Sequence, residues 1–292
     1  MSGDPFTAHR SLLFTVAYEM LGSAADAEDV VQETWLRWAG MGEAARQAVR
    51  DPRAYLVRIL TRQALNQLRS ASRRREDYVG QWLPEPLLTS PDVADDVELA
   101  DSISIAMLTV LETLRPDERV VFVLREVFDV PYDQIADAVG KSAEAVRQIA
   151  HRARRHVAAR RPRTVVSRAE QQQVVERFLA ALTTGDLQSL MDVLAPDVIL
   201  VADGGGIAPA VRHPVQGRER VATLLSRFSQ LAPSAQIAEL LLNGAVAVRI
   251  SIVGELDTAV TFVVEDGQIT RLYAIRNPQK LGRLQHVSQL QR

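Results

Sequence analysis

Apolar positions in the first quarter of the chain recur at helical spacing. Leu12, Leu13, Val16 and Met20 predict a helix over 9–21. Ser23 can cap a second helix, Asp26 to Trp38, whose acidic first turn suits the positive end of the helix dipole. A third helix starts with Asp51 as N-cap and Pro52 at its first position, and runs from Arg53 to about Arg75. Val57, Leu60, Ala64 and Leu68 give it an apolar stripe. Arg58, Arg62, Asn66 and Arg69 form a second stripe, centred roughly 150° away at 100° per residue. Over 104–160 the pattern predicts four helices: Pro116 opens the second, Pro131 to Ala138 forms the third, Gly140 turns the chain, and Ser142 caps the last. Ile135, Val139, Val146 and Ile149 pack the last two together as a helix-turn-helix, with 142–157 as recognition helix.

Beyond residue 164 the period changes. Helices over 169–183 and 186–194 precede a strand, Val198 to Ala202, which runs into Asp203-Gly-Gly-Gly206. A helix over 217–231 follows, then strands near 236–243, 245–253, 257–265 and 268–276, with Asn243-Gly244 and Asp266-Gly267 as hairpin turns. Helices followed by a curved antiparallel sheet make an α+β cone. The expected fold is multi-domain: two all-α modules and then this cone.

Charge sharpens the division. Residues 1–75 hold 11 Lys or Arg against 8 Asp or Glu, residues 76–103 hold none against 8, residues 104–163 hold 11 against 8, and the rest balances at 12 against 12. Two basic modules therefore flank an acidic connector, the charge map of two nucleic-acid-binding units on a linker. With three prolines and no cation, 76–103 reads as a flexible spacer that repels phosphate. Trp82-Leu-Pro-Glu-Pro-Leu87 is too apolar for that reading and predicts a docking site. The chain has no cysteine, so disulfides and thiolate chemistry are excluded. Its five histidines show no metal-ligand spacing, no apolar run approaches a membrane span, and no signal peptide is visible. No metal, cofactor or membrane contact is expected, and a cytoplasmic location is.

Asp26-Ala-Glu-Asp-Val-Val-Gln-Glu-Thr-Trp-Leu-Arg37 resembles region 2.2 of extracytoplasmic-function sigma factors. The resemblance implies that Asp29, Gln32, Glu33 and Arg37 contact the β′ clamp helices of core RNA polymerase, with the β subunit as a further partner. The next helix is similar to region 2.4, which makes Arg58, Arg62, Asn66 and Arg69 candidates for the −10 element of promoter DNA. Tyr55 stands where the family often has Trp, and Arg62 where it often has Asn. The run Arg73-Arg74-Arg75 suits phosphate tracking, and the loop 40–53 is the expected place for a pocket that traps an unpaired base. Val146 to Arg154 resembles region 4.2, the −35 reader. Carried over, Glu144, Arg147, Gln148 and His151 reach base edges while Arg152, Arg154 and Arg155 hold phosphates.

The cone resembles the SnoaL-like family, whose members often hold a ligand pocket; Asp203, His213 and Arg276 are its candidate polar groups. No paired acid and base is evident, so an enzyme is not expected. Trp82-Leu-Pro-Glu-Pro86, Asp203-Gly-Gly-Gly206 and Asn277-Pro-Gln-Lys-Leu281 match the sigma-factor subgroup with a SnoaL-like extension, with Gln279 departing from the usual Asp. In that subgroup the extension regulates activity in place of, or beside, an anti-sigma factor; a small ligand is a further candidate. The expected layout is sigma region 2 over 1–75, acidic linker over 76–103, sigma region 4 over 104–163 and a SnoaL-like regulatory domain over 164–292. Trp82, Pro84, Pro86, Asp203, Gly204, Gly205, Gly206, Asn277, Pro278 and Lys280 are the expected interdomain contacts, with Lys280 reaching the acidic linker. The competing readings are a helix-turn-helix regulator with a ligand-sensing domain and a SnoaL-like isomerase or cyclase fused to DNA-binding helices.

Overall fold

A computed structural model describes residues 4–161 and 166–292, except for the side chains of 72–76 and 229; the Arg73–Arg75 side chains lie outside the described residues. The first module comprises α1 (Pro5–Leu21), α2 (Ala24–Ala39), α3 (Glu43–Gln47) and α4 (Pro52–Glu76). The first helix begins four residues earlier than its apolar pattern predicts, because Asp4 accepts from the Phe6 N–H and Pro5 takes the first helical position. Ser23 caps α2 through the Asp26 N–H, and the Asp51 carboxylate caps α4 through the Ala54 N–H. The 40–53 segment, expected as a loop, contains α3.

The connector is not a free spacer. It carries α5 (Pro91–Asp95) and α6 (Val97–Ile103), and Leu83 and Leu87 are each only 1% exposed. Burying two leucines is worth about 1.5–3 kcal/mol each, enough to hold an otherwise self-repelling segment. The second module follows as α7 (Ile105–Leu111), α8 (Pro116–Phe122) with a π-helical turn over Val123–Val127, α9 (Tyr132–Val139) and α10 (Ala143–Ala158). Gly140, at φ 69°, ends α9 in the left-handed conformation, and Ser142 caps α10 through the Ala145 N–H.

The cone contains α11 (Arg168–Thr184), α12 (Leu187–Val193), β1 (Leu194–Asp203), β2 (Val215–Gln216), α13 (Arg218–Leu225), α14 (Phe228–Leu231), β3 (Ala235–Leu242), β4 (Ala245–Ile252), β5 (Glu255–Glu265), β6 (Gln268–Ile275) and α15 (Pro278–Leu281). The helix expected over 217–231 is broken in two between Leu225 and Phe228. The sheet is mixed, in the order β2-β1-β6-β5-β4-β3, where an antiparallel one was expected: β1 pairs parallel to β6, with Leu200 opposite Leu272. The long crossover from β1 through the two short helices to β3 hides this from hairpin signals alone. Asn243-Gly244 and Asp266-Gly267 both take positive φ, as tight hairpin turns require.

Three apolar clusters organise the molecule. One runs without a break from Leu12 and Val57 in the first module to Val121, Ile135 and Val157 in the second, so the two helical modules share a core. The second fills the cone, where Phe178 meets Phe262 edge to face at 5.3 Å. The third is the junction: Leu83 and Ile105 pack on Leu242, Ala259, Val263, Tyr273 and Leu281. Strand β5 explains the geometry. Its residues 258–264 are all buried, Val260, Phe262 and Val264 facing the cone interior and Ala259 and Val263 facing the linker. A strand covered on both faces reads as a continuous apolar run.

Candidate nucleic-acid interface and interdomain clasp

The junction is built around Asp203, the last residue of β1, which is fully buried. Its Oδ1 accepts from the Tyr78 hydroxyl at 2.6 Å and the Gly205 N–H at 3.0 Å. Its Oδ2 accepts from the Leu83 N–H at 2.9 Å and from Lys280 Nζ at 2.6 Å. The Lys280 ammonium also donates to the Leu83 carbonyl and lies 4.1 Å from the Trp82 ring centroid and 5.1 Å from that of Tyr78. Lys280 therefore reaches the linker through a carbonyl and two aromatic faces, and its ionic partner is Asp203 of the cone. Burial and its bond to Asp203 push the Tyr78 hydroxyl well above the ordinary tyrosine range.

The glycine run permits this approach. A Cβ on Gly205 (φ 61°) would lie 2.3 Å from Asn277 Nδ2, and one on Gly204 would lie 2.1 Å from the Ala208 carbonyl. Gly206 (φ 73°) faces Val79 of the linker, whose Cβ would sit 3.0 Å from an added one. Asn277 donates to the Tyr78 hydroxyl at 2.8 Å while its Oδ1 accepts from the Gln279 N–H, starting α15 at Pro278. Pro84 and Pro86 are buried with Leu83 and Leu87.

Two further residues of this junction escaped the sequence reading. Glu85, inside the Trp82–Pro86 motif, accepts from the Ala24 and Ala25 N–H groups at the start of α2 and lies 3.6 Å from Arg283. Burial raises its carboxyl above the usual range, and these helix-terminal donors oppose the shift. Asn243, read only as a turn residue, donates to the Tyr18 hydroxyl at 2.6 Å and the Ile103 carbonyl at 2.7 Å, and accepts from the Leu87 N–H at 2.8 Å. One hairpin side chain thus joins α1, the linker and the end of α6.

The three candidate polar groups of a ligand pocket do not converge on one site. Asp203 is committed to the junction, Arg276 pairs with Asp257 at 2.9 Å, and His213 is exposed between β1 and β2. Among the described residues no group of acids and histidines is arranged to hold a metal ion, and no helix is long and apolar enough to cross a membrane.

On α2, Asp29, Gln32, Glu33 and Arg37 are all exposed, with Arg37 paired to Glu33 at 3.1 Å. Trp35 and Leu36 beside them are 43% and 50% exposed, an apolar patch whose signal in the sequence is a Trp and a Leu between polar positions. On α10, Glu144, Arg147, Gln148, His151, Arg152, Arg154 and Arg155 are exposed opposite buried Val146, Ile149, Ala150 and Ala153. Arg147 lies 5.6 Å from the Tyr132 ring centroid, and Arg152 and Arg154 approach Glu118 and Glu126 of the second module.

The polar face of α4 is placed differently. Arg58 lies over the Tyr55 ring at 5.2 Å and Asn66 is exposed, but Arg62 donates to the Asp137 carbonyl of α9 at 2.9 Å and Arg69 pairs with Asp117 of α8 at 3.1 Å. A cavity of about 350 Å³ opens beside residues 49–61, lined by Arg50, Tyr55 and Arg58 and, from the second module, by Gln134 and Asp137.

Residues 6–74 match the Sigma-70 region 2 family, residues 104–157 match Sigma-70 region 4, and residues 175–272 match the SnoaL-like domain. The chain is 38% identical to the ECF RNA polymerase sigma factor SigJ of Mycobacterium tuberculosis, covering 96% of this chain and 93% of that protein. It is 35% identical to the probable ECF RNA polymerase sigma factor SigI of the same species, covering 95% and 93%. The crystal structure of M. tuberculosis SigJ superposes with a TM-score of 0.76 at 35% identity, over 94% of this chain and 96% of that one. The chain therefore belongs to the extracytoplasmic-function RNA polymerase sigma factors, as a member in which regions 2 and 4 are followed by a SnoaL-like domain.

Proposed function

We propose that this protein binds core RNA polymerase in the cytoplasm through α2, reads the −10 element with α4 and the −35 element with α10, and is regulated by its own cone through the linker. The reading is carried by likeness to sigma factors over nearly the whole chain, together with the exposed polar faces of α2 and α10. Promoter opening then draws on binding energy: a flipped base held in a pocket and a basic surface for the single strand. The protein is a non-enzymatic initiation factor, which sets aside the isomerase reading. The Asp203–Lys280 junction supports regulation by the cone, since it fixes the segment that joins the two readers.

Run-off transcription with core polymerase on a genomic fragment library tests the central claim. Specific initiation dependent on this protein is expected, and its absence on every fragment refutes the assignment. Within that assay Arg147→Ala should relax the −35 preference at one base pair by about 1–3 kcal/mol, while Arg155→Ala should weaken all sequences alike and flatten the salt dependence. Equal losses on all sequences from both would mean that another face of α10 reads the bases. Glu33→Lys should weaken binding to core polymerase, since a reversed charge loses the attraction and must still be desolvated. Unchanged affinity for core would remove α2 from the interface.

A further inference from the structure

We propose that a cavity enclosed by the linker, the second helical module and the cone binds an amphipathic carboxylate with an acyl-like body, and that the bound molecule holds the linker to the cone. The second half rests on the reading that the cone regulates through the linker; the site itself does not.

The cavity measures about 650 Å³, inside the range of about 300–1,000 Å³ common to small-molecule pockets. It exists because small residues face one another there. Ala94 and Ala100 come from α5 and α6, Ala106 from α7, and Gly244 and Ala245 from the β3–β4 hairpin, and each offers a methyl group or less. The linker presses on the hairpin at one point, where a Cβ on Gly244 would lie 2.6 Å from that of Ala100, and leaves the space beside it open. Met107 and, from β5, Phe262, Val263 and Val264 are buried and make the floor apolar. Val97 carries the apolar wall outward to solvent, where it is 60% exposed. Such a surface suits a molecule with an apolar body.

The charged part of the lining selects the head group. Arg161 follows α10 and pairs with Asp101 of α6 at 2.7 Å, and Arg168 approaches Asp95 of α5 at 3.6 Å. The two pairs are unequal. The Asp95 side chain is 75% exposed and its pair is long, and exposed pairs are weak in water. Arg168 also stands first in the 17-residue helix α11, where the positive end of the dipole adds to its own charge. Gln171, three residues on and on the same face, lines the cavity as well. Its Oε1 accepts from the Val246 N–H at 3.2 Å, which leaves the amide NH2 to donate. A ligand carboxylate can therefore take the place of Asp95 beside Arg168 at little cost, while its apolar body removes the floor from water. A cationic head would meet Arg168 and the helix dipole with the wrong sign.

A molecule seated there touches the linker, the second module and the cone at once. It loses those contacts when the linker lifts away, so its binding adds to the hold of the Asp203–Lys280 junction.

The test is calorimetric titration of the full-length protein with decanoate below its micellar concentration. Decyltrimethylammonium serves as a chain of equal length with the opposite charge. Decanoate should bind saturably and about 3–10-fold more tightly than the cation. Asp95→Asn should tighten decanoate binding about 2–3-fold by removing the competing carboxylate, and Arg168→Gln should weaken it about 3–5-fold. Val97→Glu, at an exposed position, and Ala94→Phe, which fills the cavity, should each weaken it about fivefold or more. Decanoate that binds both of these variants as it binds wild type sits elsewhere, and the site is overturned; so it is by the absence of saturable binding. Tighter binding of the cation overturns the carboxylate class. The linker is followed separately with a glutamate-specific protease, because residues 76–103 hold no Lys or Arg. Decanoate should slow cleavage after the exposed Glu98. Saturable binding that leaves this cleavage unchanged overturns the hold on the linker, while the site stands.

Discussion

Replacing Lys280 with alanine is expected to destabilise the protein by about 3 kcal/mol or more and to expose the linker to protease. The substitution leaves the Asp203 carboxylate fully buried without its cation, and breaking one side of a buried ion pair typically costs about 3–5 kcal/mol. The lower end applies because the Tyr78 hydroxyl and the Leu83 and Gly205 N–H groups still donate to it. Asp203→Asn combined with Lys280→Met removes both charges together and should cost less than Lys280→Ala alone. Urea unfolding followed by linker proteolysis measures this. A Lys280→Ala protein as stable and as protected as wild type would show that the junction does not hold the linker.

Raising the pH from 5 to 8 should destabilise the folded chain through Glu19. This residue of α1 is fully buried, and burial pushes its carboxyl up to about 8; a hydrogen bond from Ser102 and the nearby Arg119 and Arg292 act against that rise, and Asp101 adds to it. Arg119 itself is drawn down to about 9 by burial and stays charged at neutral pH, donating to the Glu19 carbonyl and pairing with Glu112. The sign follows from proton binding. Unfolded, Glu19 loses its proton near 4.5; folded, it keeps it to about 8. Between those values the folded chain binds more protons, so its stability is fully present below about 4.5, falls as pH rises, and levels off above 8. The slope is on the order of 1.4 kcal/mol for each pH unit. Glu19→Gln should remove most of this fall, leaving the smaller one that the raised Glu85 carboxyl contributes. An unchanged slope in the variant would mean that Glu19 is not the titrating group.

Much of the architecture was legible because it is written in local signals. Ser23, Asp51, Pro116 and Ser142 mark helix starts, and Asn243-Gly244 and Asp266-Gly267 mark hairpins, through bonds made within a few residues. What stayed hidden depends on contacts made far along the chain. An arginine stripe such as Arg58 to Arg69 has the same periodicity whether it faces water, DNA or another module, so nothing local could disclose Asp117 and Asp137 as its partners. Asn243 satisfies its hairpin by backbone conformation alone, and its side chain's bonds to Tyr18 and Ile103 come from tertiary packing. The parallel pairing of β1 with β6 was masked likewise, since six elements, β2, α13, α14, β3, β4 and β5, lie between the two strands along the chain. Trp82-Leu-Pro-Glu-Pro86 was the exception, an apolar segment in an acidic stretch that called for a surface to cover it.

The position of Asp203 and Lys280 late in the chain also sets an order in time. A ribosome completes both readers and the linker before it begins the cone. At about 5–20 residues per second, residues 166–292 take roughly 6–25 s to make. Until β5 and α15 have been made, Leu83 lacks Ala259 and Val263 to pack on, Trp82 lacks Lys280, and, until residue 243 is made, Tyr18 lacks Asn243. Every new copy is born unclasped. Two contacts made later still, the Gln291 N–H donating to Thr15 of α1 and the Ser288 N–H donating to the Leu88 carbonyl, tie residues that follow the sheet back to the first module and the linker.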